Sequence, residues 1–274
     1  MDSSIRLPEL RNIRSFDGCR LSVFLQGDVE LPPVLFIHSI GLDHSMWDGQ
    51  VDALARRNRI IRYDSRGHGK SDVPRGEYSI EMLGQDALAV LDAAGLERAS
   101  VVGSSIGGMT ALWLAARHPA RVRQLVLANT TAHIGRPEMW NERIRQVRDG
   151  GMAAVAEATA ARWLSSAFKD QRPREAQHFV DRLSATSPAG FSGMCAVLRD
   201  VDLRDSLKQI EVPTLVIGAG GSGPEASAAA RLADAITGSR FCRVPQGGHL
   251  SNLESPDAFN AALIQFLDND FSQE

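Results

Sequence analysis

Short apolar runs recur along this chain, and stretches with helical periodicity separate them. The runs show no polar alternation, which is typical of parallel strands buried on both faces. They are Val34–Ile37, Ile60–Tyr63, Ala99–Val102, Leu125–Ala128, Thr214–Ile217 and Phe241–Val244. The helical stretches are Met46–Arg57, Ile80–Ala94, Ile106–Arg117, Ala226–Ile236 and Pro256–Leu267. This alternation predicts an α/β fold, a mostly parallel twisted sheet with helices on both faces.

Two regions depart from that rhythm. Near the start, Leu10–Phe16 and Arg20–Leu25 flank an Asp-Gly pair, which predicts an antiparallel hairpin. Between residues 135 and 207 the pattern is helical throughout, over the segments Glu138–Val147, Met152–Leu164, Pro173–Ala185 and Gly193–Val201. Because this stretch is too long for a loop, we expect a helical cap over residues 135–207 and a core domain over residues 1–134 and 208–274.

Charge and composition exclude several classes of partner. The 274 residues carry a net charge of −3 without a basic stripe, which argues against nucleic acid. The longest apolar runs are far too short for a membrane span, and the first residues lack an apolar signal core. We therefore expect a cytoplasmic protein that binds a small molecule and does not bind membranes; the sequence leaves its oligomeric state open. The three cysteines are scattered, which predicts neither a metal site nor a redox site.

The segment around residue 105 combines a strand, a glycine-rich turn and a helix. Residues 103–107 read Gly-Ser-Ser-Ile-Gly and fit the pattern G-x-S-x-G. That pattern places its central serine in a strained turn at the start of a helix, with the hydroxyl exposed. Ser105 is therefore the candidate nucleophile, whereas Ser104 has the wrong spacing to the glycines. The competing interpretation is a glycine-rich turn with a purely structural role.

A serine hydroxyl needs a neutral imidazole to accept its proton. His249 lies in a glycine-rich loop after the last apolar run, so it is expected at the same sheet edge as Ser105. We predict that His249 is the general base. Structural roles are favoured for five other histidines, which are His44, His68, His118, His133 and His178.

An ester carbonyl under attack also needs backbone N–H groups for its developing oxyanion. The residue after the nucleophile, Ile106, is expected to supply one. The loop after the first buried strand reads His-Ser-Ile-Gly over residues 38–41, and we expect Ile40 to supply the other. Because all of these groups belong to the protein, the predicted chemistry requires no metal and no organic cofactor.

Motifs spread over nearly the whole chain resemble the α/β-hydrolase fold family. Asp-Ser-Arg-Gly-His-Gly-Lys-Ser over residues 64–71 is similar to the family's D-x-R-G-x-G-x-S turn. A narrower resemblance, to 3-oxoadipate enol-lactonases, rests on five further segments. These are His38–Asp43 with Met46-Trp47, Leu127–Gly135, Trp140–Ile144, Val147–Met152 with Arg162-Trp163, and His249–Glu254.

The enol-lactonase resemblance implies hydrolysis of a small, carboxylate-bearing enol-lactone in aromatic catabolism. Ser105 would attack the ring ester, the released enol would become a ketone, and water would free the acyl group. Because the substrate carries a carboxylate, a cation is expected in or under the cap. Trp140 and Arg143 are the candidate substrate contacts, and their alternative roles are a cap-core aromatic and a solvated helix face.

The chain departs from the family pattern at the third catalytic residue. The family's acid follows the strand at Val212–Ile217, but residues 218–225 read Gly-Ala-Gly-Gly-Ser-Gly-Pro-Glu. The expected position falls on Gly221 or Ser222. Either Glu225 reaches back, or another strand end supplies an acceptor, or the triad is incomplete. Asn129 is a conceivable substitute, whereas Asp200 and Asp202 are expected to brace the cap junction.

The altered acid loop leaves other functions open. One is a related esterase, or a lyase that uses the same site for carbon–carbon or carbon–oxygen cleavage. Another is a protein that binds a ligand without catalysis, against which the retained Ser105, His249 and elbow glycines argue.

Overall fold

The computed structural model describes residues 8–220 and 224–269, with the backbone alone for residues 224–226. Within these ranges, no helix is both long enough and apolar enough to cross a lipid bilayer. The chain alternates between strands and helices over most of its described length, and one group of consecutive helices interrupts the alternation.

The described residues form one eight-stranded sheet. Its strands are β1 (Glu9–Arg14), β2 (Arg20–Gln26), β3 (Pro33–Ile37), β4 (Arg59–Tyr63), β5 (Ala99–Ser104), β6 (Val122–Ala128), β7 (Thr214–Ala219) and β8 (Arg240–Val244). The spatial order is β1-β2-β4-β3-β5-β6-β7-β8. Strands β3 to β8 are mutually parallel, and the β1–β2 hairpin joins β4 in antiparallel pairing. The carboxyl ends of the parallel strands therefore share one edge, and the predicted fold class is confirmed.

Helices connect the parallel strands and form the insertion. In chain order they are α1 (Asp48–Leu54), α2 (Ile80–Ala93), α3 (Ile106–Arg117), α4 (Pro137–Gly150), α5 (Ala153–Trp163), α6 (Ser166–Gln171), α7 (Pro173–Ser184), α8 (Pro188–Asp200), α9 (Pro224–Ala235), α10 (Ser251–Glu254) and α11 (Pro256–Leu267). Helices α4 to α8 all lie between β6 and β7 in the chain, and we call them the insertion. The short helices α6 and α10 were not predicted.

The two connections between the sheet and the insertion lie side by side. Leu203 N–H donates to the Ala132 carbonyl at 2.9 Å, and His133 forms an isolated β-bridge with Asp202. The His133 ring nitrogen Nδ1 is also 2.9 Å from the Val201 carbonyl oxygen. The insertion thus leaves and rejoins the sheet at one place, while its status as a separate cap domain stays a prediction.

Burial is deepest in the centre of the sheet and falls at β8. Every residue of β5 and β7 is buried, as the apolar runs predict. In β8, however, Phe241 is 39% exposed, so the expectation that Phe241–Val244 is buried on both faces is wrong. The cause is the strand order, because β8 pairs with β7 alone and forms the edge of the sheet. A four-residue apolar run does not distinguish an edge strand from a central one.

Candidate active site

Ser105 lies in a strained turn between β5 and α3. Its backbone angles are φ 56° and ψ −121°, a conformation that side chains larger than glycine rarely adopt. A Cβ atom at Gly103 would lie 2.6 Å from the Gly108 nitrogen, and one at Gly107 would lie 2.7 Å from the His38 carbonyl oxygen. Both glycines are therefore required by sterics, as the G-x-S-x-G pattern predicts.

The end of β6 holds the Ser105 turn in place. Ser105 N–H donates to the Ala128 carbonyl at 3.0 Å, and the Thr130 hydroxyl donates to the Ser105 carbonyl at 2.6 Å. Ser105 is the only partly exposed residue between positions 101 and 115; the others are buried. The hydroxyl of the neighbouring Ser104, in contrast, is buried and accepts a hydrogen bond from Ser39 at 3.1 Å. Of the two serines, only Ser105 is accessible to a ligand.

Two backbone N–H groups near Ser105 are unused by the described residues. The loop after β3 approaches the start of α3, since the His38 carbonyl contacts Gly107. In that loop, Ser39 N–H donates to the Met46 sulfur and Gly41 N–H donates to His68 Nε2. Ile40 N–H donates to no described residue, and the same holds for Ile106 N–H in the first turn of α3. These are the two groups predicted for the oxyanion.

Two buried histidines shape this loop by accepting hydrogen bonds. His38 Nε2 accepts from Ser65 N–H at 2.9 Å, and His68 Nε2 accepts from Gly41 N–H at 2.9 Å. Both rings are therefore neutral, with the remaining proton on Nδ1 next to a backbone carbonyl. Burial lowers the pKa of His38, and burial with repulsion from His38 lowers the pKa of His68 to about 3. The structural role predicted for His68 agrees with this position.

His249 follows β8 in a loop that contacts the insertion. Its backbone N–H donates to the Trp163 carbonyl at 2.9 Å, and the centroids of the two rings are 5.1 Å apart. The preceding residue, Gly248, donates its N–H to the buried Glu254 carboxylate at 3.0 Å. The same carboxylate accepts from Ser165 N–H at 3.2 Å, at the junction of α5 and α6. No sequence pattern indicates these contacts of Trp163, Ser165 and Glu254 with the histidine loop.

Asn129 connects the end of β6 to the histidine loop. It has a positive φ of 46°, and its side-chain amide donates to the Ser251 hydroxyl at 2.7 Å. Ser251 begins α10, directly after the histidine loop. Asn129 therefore links the strand end that holds Ser105 to the segment that carries His249. The bond to Ser251 uses the amide N–H of Asn129, whereas a substitute for the acid would act through the amide oxygen, so that role stays a prediction.

The acid is predicted in the segment that follows β7. Residues 221–223 and the side chain of Glu225 lie outside the described part of the chain, so Glu225 stays a prediction. Asp200 and Asp202 form ion pairs with Arg199 and Arg204 beside the insertion junction. Because each of these pairs joins residues one or two positions apart, the bracing role stays a prediction.

Trp140 and Arg143 lie three residues apart on α4 and both offer donors. Trp140 is 8% exposed, and its indole N–H has no hydrogen-bond partner among the described residues. Arg143 donates to the Thr159 hydroxyl at 2.6 Å and forms no ion pair with any described carboxylate. Burial, followed by repulsion from Arg162, lowers the pKa of Arg143. A partly buried cation about one helical turn from an unused N–H group suits an anionic ligand.

Asp43, His44 and Asp64 bring three possible metal-ligating atoms within 4.8 Å of one another. Their oxygen atoms already accept several hydrogen bonds. Asp43 accepts from Ser45 and Arg182, and Asp64 accepts from the His44 backbone and side chain. The cluster therefore forms an internal network that supports the loop after β3.

Comparison with known proteins agrees with this geometry. The family model described as alpha/beta hydrolase fold matches residues 32–256. The 3-oxoadipate enol-lactonase 1 of Acinetobacter baylyi is 36% identical over 264 residues, which cover 93% of this chain and 96% of that protein.

Two solved structures are similar over nearly their full length. A hydrolase from Pseudomonas aeruginosa PA01 has 38% identity and a TM-score of 0.89, covering 95% of this chain and 99% of that one. The enol-lactonase from Burkholderia xenovorans LB400 has 35% identity and a TM-score of 0.89, covering 95% of this chain and all of that one.

The chain belongs to the α/β-hydrolase fold family. Within this family it is similar to 3-oxoadipate enol-lactonases, so the resemblance stated from its motifs is confirmed.

Proposed function

We propose that this protein hydrolyses a small, carboxylate-bearing enol-lactone of the 3-oxoadipate type through a serine nucleophile. The observation that carries the proposal is the geometry at Ser105. A partly exposed serine in a strained turn lies beside two backbone N–H groups, those of Ile40 and Ile106, that bond to no described residue. An ester hydrolase needs this combination of nucleophile and oxyanion donors.

The proposed reaction begins with attack of the Ser105 hydroxyl on the ring ester carbonyl. His249 takes the hydroxyl proton, and the N–H groups of Ile40 and Ile106 stabilise the oxyanion. When the ester bond breaks, His249 returns the proton to the leaving enol oxygen, and the enol becomes a ketone. Water, activated by His249, then attacks the acyl group and frees Ser105. Every step uses groups of the chain and requires no cofactor.

Arg143 and Trp140 support the choice of an anionic lactone over a neutral ester. Arg143 is partly buried and lacks a carboxylate partner among the described residues, and Trp140 has an unused indole N–H. A substrate carboxylate would supply acceptors for both donors, and a charge-assisted hydrogen bond contributes about 1.5–3 kcal/mol. The similarity to 3-oxoadipate enol-lactonases favours the same substrate class. The place of the reaction in aromatic catabolism and in the cytoplasm stays a prediction.

The sequence of the loop after β7 bears on a second candidate function. Residues 218–224 contain no carboxylate, and loss of the orienting acid in such a site typically costs about 10⁴ in kcat. An enzyme with that loop is suited to activated lactones, whose cleavage needs less assistance than that of amides. A related esterase or lyase with an altered triad is the second candidate, and Glu225 is a candidate acid under either reaction.

Fluorophosphonate labelling and substrate turnover together test the proposal. The probe is expected to label Ser105 in the native protein and not in Ser105→Ala, which should lose about 10⁶ in kcat for the enol-lactone. Ser104→Ala is the matched control and should retain labelling. Absence of labelling at Ser105 would overturn the serine mechanism.

The substrate class is decided by comparing the enol-lactone with a neutral aryl ester in the same assays. Arg143→Gln is expected to raise KM for the lactone by about 10-fold or more and to leave the neutral ester unaffected. Arg145→Gln, on the exposed face of α4, is the control. Fast ester cleavage with an inert lactone would favour the esterase alternative.

A further inference from the structure

Glu254 is a buried carboxylate that the proposed reaction does not use. It is only 9% exposed, and its carboxylate accepts hydrogen bonds from two backbone N–H groups that lie far from each other in the chain. Gly248 donates from the histidine loop at 3.0 Å, and Ser165 donates from the α5–α6 junction at 3.2 Å. Burying a carboxylate is costly unless its lone pairs are satisfied in this way. Its burial therefore ties the histidine loop to the insertion.

Two further contacts reinforce the same junction. His249 N–H donates to the Trp163 carbonyl at 2.9 Å, and the Trp163 ring lies against the His249 ring at an angle of 31°. A Cβ atom at Gly248 would lie 2.6 Å from the Trp163 carbonyl oxygen and 3.1 Å from the Ser165 nitrogen. Glycine at position 248 is thus required by the close approach of the insertion.

The charge of Glu254 also acts on His249. Burial raises the pKa of Glu254, while hydrogen bonds from Ser165 and Gly248 and attraction to the His249 imidazolium oppose that rise. By the same interaction, an ionised Glu254 stabilises the imidazolium that forms when His249 accepts the serine proton. A negative charge from Glu254 is important for His249 because the loop after β7, at residues 218–224, contains no carboxylate.

We propose that Glu254 is the positioning residue for His249: it fixes the histidine loop against the α5–α6 junction and places a negative charge against the backbone of that loop, at Gly248. Glu254 acts through Gly248 and the field of its carboxylate and does not contact the substrate. The insertion thereby takes part in holding the general base. The proposal rests on His249 being the base of the proposed reaction.

The test compares Glu254→Gln with Glu254→Asp, Glu225→Gln and Glu157→Gln. Glu157 is an exposed glutamate on α5 and serves as the matched control. The first readout is the His249 pKa, measured by NMR titration and assigned with His249→Gln. Glu254→Gln is expected to lower that measured value relative to the native protein, because the ionised neighbour is gone. Glu254→Asp keeps the charge, so its His249 pKa should stay close to the native value. Glu157→Gln should match the native protein.

The second readout is enol-lactone turnover with urea unfolding in parallel. Glu254→Gln is expected to lower kcat by about 10- to 100-fold with little change in KM, beyond any change in the unfolding midpoint. The acid limb of kcat/KM should move to lower pH by the same amount as the His249 pKa. A loss of activity that follows the loss of folded protein, without a change of the His249 pKa, would overturn the proposal.

The two glutamates and the two proposals are separated by the pattern of results. If Glu225→Gln shifts the His249 pKa and Glu254→Gln does not, Glu225 is the acid and the proposal for Glu254 is wrong. If Ser105 is neither labelled nor needed for turnover, the proposed function fails. The NMR titration still decides whether Glu254 acts on His249, because it requires no substrate.

Discussion

The candidate active site has a nucleophile side, the turn that carries Ser105, and a histidine side, the loop that carries His249. The two are held in place in different ways. Ser105 is fixed by the core, because Gly103 and Gly107 leave no room for side chains and Ala128, at the end of β6, accepts its N–H. His249 is fixed by residues about 85 positions earlier in the chain, at the α5–α6 junction of the insertion. The comparison teaches that one candidate catalytic residue is held by the core, whereas the other is held by the insertion as well.

The largest effect on the nucleophile side is expected for Gly107→Ala. The new methyl group would lie 2.7 Å from the His38 carbonyl and closer still to the Ile37 carbonyl. Both are backbone atoms, so no side chain can rotate away. We expect a loss of about 3 kcal/mol in the free energy of unfolding, measured with urea, because overpacking of this kind costs about that much.

Gly49→Ala on α1 is the control for that substitution. A methyl group at position 49 would have no neighbouring atom within 4 Å, and alanine favours a helix over glycine by about 1 kcal/mol. Gly49→Ala should therefore be neutral or stabilising. Equal stability of the two variants would show that the turn adapts and that sterics do not fix Ser105.

An intermediate effect is expected when the pH is lowered, because a buried neutral histidine, His68, supports the loop after β3. The folded pKa of His68 is about 3, below its ordinary value of 6.5, so between these pH values the unfolded chain binds a proton that the folded chain does not. Stability is therefore expected to fall as the pH drops from 6.5 towards 3. Urea unfolding at a series of pH values measures this slope.

His68→Gln should reduce that slope, since an amide oxygen can accept from Gly41 without titrating. His178→Gln, at an exposed position on α7, is the control. Burial alone would raise the pKa of Asp43, but hydrogen bonds from Ser45 and the charge of Arg182 outweigh it and lower that pKa to about 2. Asp43 therefore adds to the pH dependence of the free energy of unfolding only below about pH 4. An unchanged slope between pH 5 and 6.5 in His68→Gln would contradict the buried neutral histidine.

The nucleophile side was also the side that the sequence could predict. The G-x-S-x-G pattern implies much of its own geometry, because the clash that demands Gly103 arises within five residues. The clash that demands Gly107 involves the carbonyls of Ile37 and His38, at the end of β3. The strands could be predicted for a similar reason, since buried central strands require continuous apolar runs. Phe241 shows the limit of that rule, because its exposure depends on the position of β8 in the sheet.

The histidine side could be predicted only as far as His249 itself. Its contact with Trp163 and the Glu254–Ser165 hydrogen bond join segments that no local pattern connects. The available signal was a glutamate five residues after His249 in a chain without the usual aspartate. The identity of the third catalytic residue stays a prediction, since residues 221–223 lie outside the described ranges.

The smallest effect is expected where the insertion touches the nucleophile side. Arg182 on α7 donates to Asp43 at 2.7 Å and to the Ser45 hydroxyl at 2.6 Å, next to the loop that carries Ile40. Without Arg182, Asp43 still accepts from the Ser45 N–H and hydroxyl. Because the Arg182–Asp43 ion pair is partly exposed, it contributes about 1 kcal/mol at most.

Arg182→Gln is therefore expected to lower kcat for the enol-lactone by less than about fivefold, with Arg145→Gln as the control. Glu254→Gln, on the histidine side, should have the larger effect, since it removes a buried carboxylate that fixes the loop of the candidate general base. The comparison is made by steady-state kinetics on variants of equal unfolding midpoint. If Arg182→Gln costs as much as Glu254→Gln, the insertion supports both sides of the candidate site to the same degree, and the contrast between the two sides is wrong.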